Sequence, residues 1–222
     1  MVLWLRLASL ITCLTTFIAP TFPAQAQQEF PPPQGKGRVV VVVSGMSGPS
    51  HYQFAASQIA QLGYDAVLFD GNKIAGTQGA ALRTAIQTAQ AMPHALPGKV
   101  GLDGFSLGGG VVLGYGSQWP DIAPVIVAWY PATSPIRDIP SFASRLAVPV
   151  PMLAGEDDTY RGCCLITTAR SLAAAAAGRP FHLVTYPSTQ HDFVYGGEHY
   201  NPRAYSDAMQ RTAAELAQYL GR

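Results

Sequence analysis

This chain is poor in charge. Only 12% of its 222 residues are Asp, Glu, Lys or Arg, with 14 basic against 13 acidic groups and a formal net charge of +1. That balance leaves no basic stripe to neutralise phosphates, so a nucleic-acid partner is not expected. Cysteine and histidine are also scarce, at 3 and 5 residues. They are too scattered for the usual zinc-ligand spacings, so no metal is expected. Internal repeats and low-complexity tracts are missing too. With 48% hydrophobic residues, the length suits one sizeable domain with its own core.

The one long apolar run lies at the start, from Leu7 to Ala19 within MVLWLRLASLITCLTTFIAPTFPAQAQ. It is shorter than the roughly 20 apolar residues that a membrane span needs. Arg6 precedes it, and Ala24 and Ala26 supply small residues where a signal peptidase reads. Residues 1–26 are therefore expected to be a cleaved secretory signal, leaving no stable membrane anchor and an exported, periplasmic or secreted protein. LITC lacks the small residue that should precede a lipidated cysteine. Cleavage would remove Cys13 and leave Cys163 and Cys164, adjacent in sequence. An oxidising compartment then implies either buried thiols or a bridge between neighbours, and the sequence leaves both open.

Residues 27–37 form a Pro-rich segment, and 38–222 the expected domain. RVVVVVSG reads as a strand buried on both faces. A helix is expected over residues 51–62 and a strand over 64–70. A helix over 77–92 and the strand GKVGLDGF follow. Residues 107–118 form the next helix, then come a strand over 123–131 and a loop bearing Pro and Ser. The strand VPVPMLAGEDD, an Ala-rich helix over 164–177, the strand RPFHLVTYP and a C-terminal helix complete the order. Strands alternating with helices predict an α/β fold: a mostly parallel sheet with helices on both faces, and no insertion large enough for a lid.

Within that order GFSLG places Ser106 between a strand and a helix. A sharp strand-to-helix turn would expose its hydroxyl, and the helix N-terminus would face developing negative charge. Serine needs a base to become a nucleophile. An acid and then a histidine are expected in later loops at the same end of the sheet. AGEDDTY offers Glu156, Asp157 and Asp158, with Asp158 preferred over Asp157. YPSTQHDF offers His191, preferred over His51, His94, His182 and His199. Two backbone donors are needed for an oxyanion. Leu107 would supply one, and Met46 in the glycine-bearing loop SGMSGPSHY the other. His51 and Tyr52 are placed as possible pocket residues.

These segments together resemble the dienelactone hydrolase family of the α/β-hydrolase superfamily. GFSLGGG looks like its nucleophile motif, LAGEDDTYRGCC its acid-bearing segment, and YPSTQHDF its histidine-bearing segment. VVVSGMSGPSHYQFAASQIAQLGYDAVLFD is similar to its oxyanion loop, helix and next strand. The family typically has cysteine where Ser106 stands, and many relatives have histidine where Ser44 stands. The resemblance implies a single α/β-hydrolase domain, a Ser106–His191–Asp158 triad and a small-molecule ester substrate, with no cofactor. A peptidase or amidase on the same triad, and a non-catalytic exported binding protein, are the alternatives.

Overall fold

The computed structural model describes residues 27–221; the expected signal segment lies outside them, as does Cys13. Among the described residues seven strands form one sheet. They are β1 (Gln27–Phe30), β2 (Gly37–Val43), β3 (Asp65–Phe69), β4 (Ala95–Phe105), β5 (Val125–Trp129), β6 (Val150–Gly155) and β7 (Phe181–Tyr186). The helices are α1 (Gln53–Gln61), α2 (Gly71–Ile74), α3 (Ala80–Gln90), α4 (Leu107–Gly114), α5 (Ile139–Ser144), α6 (Ile166–Ala175) and α7 (Pro202–Glu215). Among the described residues no helix is long and apolar enough to cross a membrane.

The valine run behaves as a doubly buried strand should. Val39, Val41 and Val43 enter the core that packs against α3, α4, α5 and α6, while Val40 and Val42 enter the core under α1 and α7. Alternate side chains point to opposite faces, and both faces are covered, so no polar residue interrupts the run.

Spatially the strands run β1-β3-β2-β4-β5-β6-β7. All neighbours are parallel except β1, which pairs antiparallel with β3. From β2 the chain steps one way to β3, then returns to the other side for β4 and continues outward. The switch therefore lies between β2 and β4, and ligands of open α/β sheets bind outside the strand ends at such a point. Val43 and Gly104 are register partners there, which puts the loop after β2 beside the turn after β4.

Three elements depart from the sequence reading. The stretch read only as a Pro-rich segment contributes β1, whose QQEF carries no β-branched residue. It is held by its partner and by Glu29, whose carboxylate pairs with the His94 ring at 3.0 Å. The loop after β5 contains α5, which Asp138 caps by accepting from the Ser141 amide at 2.9 Å. The helix expected to run to residue 118 stops at Gly114 and passes into a 3₁₀ turn.

Candidate active site

The turn after β4 is as tight as the glycines suggest. Ser106 has φ 50° and ψ −112°, a conformation that L residues rarely adopt. Its amide donates to the Trp129 carbonyl at 2.9 Å, and its carbonyl accepts from the Gly110 and Ala132 amides at 2.9 Å each. These bonds hold the strained residue from three sides. A Cβ on Gly108 would run into the carbonyls of Val43 and Ser44, so glycine there lets α4 approach the end of β2.

Three side chains converge on this turn. Ser106 Oγ lies 2.9 Å from His191 Nε2, and His191 Nδ1 lies 2.8 Å from Asp158 Oδ2. All three residues are buried, with relative exposures of 7%, 5% and 1%. The other oxygen of Asp158 accepts from the Tyr160 amide at 3.0 Å, which fixes the carboxylate. Its neighbours are differently engaged. Asp157 is exposed, and Glu156 binds Arg170 at 3.0 Å and the Thr185 hydroxyl at 2.9 Å.

The imidazole of His191 is clamped by aromatic rings. Tyr160 stacks on its face, with centroids 4.5 Å apart and planes within 3°. Tyr130 meets it edge-on at 4.8 Å. Tyr130 and Asp192 both have positive φ, 33° and 61°. Together with Ser106 they gather strained backbone at one spot, as functional sites commonly do.

The two residues expected from sequence to supply backbone donors are both near Ser106, Leu107 as the next residue and Met46 as a lining residue of the same cavity. Leu107 is the first residue of α4, and its amide has no carbonyl one turn earlier in the helix to bond. Met46 lines the same small cavity as Ser106 and His191. Its carbonyl accepts from the Asn72 side chain at 3.1 Å, and Ser44 Oγ accepts from the Gly71 amide at 3.0 Å. Ser44 thus ties the loop after β2 to the start of α2.

Of the two possible pocket residues, Tyr52 lines this cavity and His51 does not. His51 Nε2 instead lies 3.0 Å from both carboxylate oxygens of Asp192. The Tyr130 hydroxyl donates to Asp192 at 3.4 Å. Burial, with the Asp192 charge second for Tyr52, holds the Tyr52 and Tyr130 hydroxyls above the ordinary phenol range. Both stay neutral donors at any working pH. His199 also reaches the cavity, whereas His94 pairs with Glu29 and His182 lies on β7.

Sequence reasoning missed Tyr130, Tyr160 and Asp192. Asp192 and Tyr160 were within the quoted motifs, but nothing local marks a ring that will stack on a histidine from another loop. Cys163 and Cys164 form a vicinal bridge, one of the two possibilities that the sequence left open. The Cys163 carbonyl accepts from the Thr133 and Ser134 amides at 2.9 Å, joining the acid-bearing loop to the segment after β5.

The comparisons agree with this architecture. The dienelactone hydrolase family model matches residues 71–220, and the chain belongs to that family. A candidate dienelactone hydrolase from Klebsiella pneumoniae is 23% identical with a TM-score of 0.69, covering 83% of this chain and 88% of its own. Est1E from Butyrivibrio proteoclasticus is 14% identical, TM-score 0.68, covering 86% and 94%. Esterase 2 of Thermogutta terrifontis, solved after phosphoramylation by tabun, is 16% identical, TM-score 0.66, covering 86% and 88%. A comparison with curated proteins finds no match.

Proposed function

We propose that this chain is an exported serine hydrolase that cleaves carboxylic esters of small molecules through Ser106, His191 and Asp158. The observation that carries the reading is the unbroken hydrogen-bonded chain from Ser106 Oγ through His191 to Asp158. It is built at a strained turn where the sheet switches direction. His191 Nε2 takes the proton as Ser106 Oγ adds to the acyl carbon, and Asp158 steadies the resulting imidazolium. The Met46 and Leu107 amides hold the oxyanion. His191 then gives the proton to the leaving oxygen, and water releases the acid by the reverse path. Membership of the family supports this reading. So do neighbours of the same fold: esterase 2 reacts with tabun, and Est1E has been solved with ferulic acid bound.

An ester is favoured over an amide because neighbours of the same fold include esterases, esterase 2 of Thermogutta terrifontis among them. The purified protein is expected to hydrolyse ethyl butanoate with kcat/KM several orders of magnitude above that for N-ethylbutanamide. Equal rates, or a preference for the amide, would make it an amidase, and no turnover of either would support a binding protein.

Export rests on the small residues at Ala24 and Ala26 after an apolar run. The full chain expressed in a Gram-negative host is expected to yield a periplasmic protein whose N-terminus is Gln27. Recovery from the cytoplasm with Met1 retained would remove this part of the reading.

A further inference from the structure

Two hollows of very different size and chemistry adjoin the turn at Ser106. The smaller, ≈ 60 Å³, is lined by Ser106 and His191 themselves and by Tyr160, Asp192, Glu198 and His199. The larger, ≈ 640 Å³, is lined by Leu107, the residue after Ser106, and by Val111 and Gly114 further along α4. Its far wall is Ile136 and Phe142, from the segment after β5.

We propose that this groove holds the acyl chain of the substrate, and that the small polar cavity admits only a short alcohol. The enzyme would then hydrolyse esters of medium-length apolar acids. The inference rests on the ester-hydrolase reading above and goes on to assign the two halves of the ester.

The assignment follows from proton flow. In the tetrahedral intermediate the new bond joins Ser106 Oγ to the acyl carbon, and the former carbonyl oxygen faces the Met46 and Leu107 amides. The bond to the alkoxy oxygen breaks only if that oxygen receives the proton held on His191 Nε2. The alcohol therefore faces His191. The remaining substituent, the acyl chain, is left to point past Leu107. Water then adds to the acyl carbon, its proton passing to His191 and on to Ser106, and the free acid leaves.

The surfaces match these halves. Leu107, Val111, Ile136 and Phe142 present hydrocarbon, so each methylene laid in the groove leaves water. Three charged groups line it: Arg137 is exposed, and the other two are engaged. Arg145 donates to the Ser141 carbonyl at 3.0 Å and hydroxyl at 2.8 Å, and Asp138 accepts from the Ser141 amide at 2.9 Å. The small cavity offers two carboxylates, Asp192 and Glu198, and no room for a long alkyl group.

Isomeric esters test this directly, because ethyl hexanoate and hexyl acetate differ only in which side carries the chain. In the wild-type protein, kcat/KM for ethyl hexanoate is expected to exceed that for hexyl acetate by about tenfold or more. Gly114→Leu supplies the second measurement. A Cβ at Gly114 meets nothing within 4 Å, and leucine is a better helix former than glycine, so this variant should fold. It is expected to lower the ratio of ethyl octanoate to ethyl acetate turnover about fivefold or more, because Gly114 lies roughly 10 Å along α4 from Leu107. Equal rates for the two isomers, or a preference for hexyl acetate, would overturn the assignment while leaving the esterase reading intact. An unchanged ratio in Gly114→Leu would do the same. Failure to hydrolyse any of these esters would overturn both.

Discussion

Asp158→Asn is expected to lower kcat/KM for a simple ester by roughly 10⁴, whereas Asp157→Asn should stay within about twofold of wild type. The two carboxylates are adjacent in sequence and opposite in circumstance. Asp158 is buried with Oδ2 2.8 Å from His191 Nδ1, while Asp157 is exposed. An asparagine amide at residue 158 would present N–H to the ring or hold it with less force. Either way the imidazole is no longer kept with its proton on Nδ1 and its lone pair facing Ser106. The loss should fall on kcat, with the thermal midpoint little changed, because the amide is nearly isosteric. Loss of activity in Asp157→Asn with Asp158→Asn active would reverse the assignment of the acid.

The second large effect concerns stability. Asp103 lies on β4, three residues before Ser106, and is fully buried. Burial pushes its carboxyl up to about 8; the Trp129 indole and Gly104 amide act in the opposite direction and do not offset it. Neither contact reaches full hydrogen-bonding geometry, which is why they offset so little of the burial. The folded protein thus keeps a proton here that the unfolded chain releases near pH 4. Between about pH 4 and 8 the unfolded state binds fewer protons, so stability falls as pH rises and stays low above that window. The loss of stability therefore grows with pH across this window. Asp65 contributes with the same sign between about pH 4 and 6, its carboxyl being raised to about 6 by burial first and by Glu29 second.

Asp103→Asn isolates the larger contribution. Relative to wild type, the unfolding free energy of the variant should rise steadily from pH 5 to pH 8, gaining at least about 1 kcal/mol across that range. Denaturant melts at several pH values measure it. A difference independent of pH would mean that the carboxyl titrates alike in both states.

These expectations also show where the sequence was informative. A β-branched run needs both faces covered, so the central strand and its two helical layers were legible from five consecutive valines. The sharp turn at Ser106 was legible because G-x-S-x-G fell between a strand and a helix, where glycines at residues 104 and 108 meet a packing demand. β1 was not legible, because QQEF becomes a strand only through the edge offered by β3 and the Glu29–His94 pair. α5 was hidden by Pro140 and by its short length. The rings around His191 were out of reach for the same reason as β1. Tyr130, Tyr160 and Asp192 come from different loops, and only the folded sheet brings them together.

The central claim is that the Ser106 hydroxyl is activated by His191 and Asp158. Covalent labelling of the intact protein with a fluorophosphonate, read by mass spectrometry, tests it most directly. The expected result is one adduct per chain on the peptide containing Ser106, absent from Ser106→Ala and strongly slowed in His191→Ala. An adduct of equal extent in Ser106→Ala, or a folded wild-type protein that takes up no label, would contradict the account.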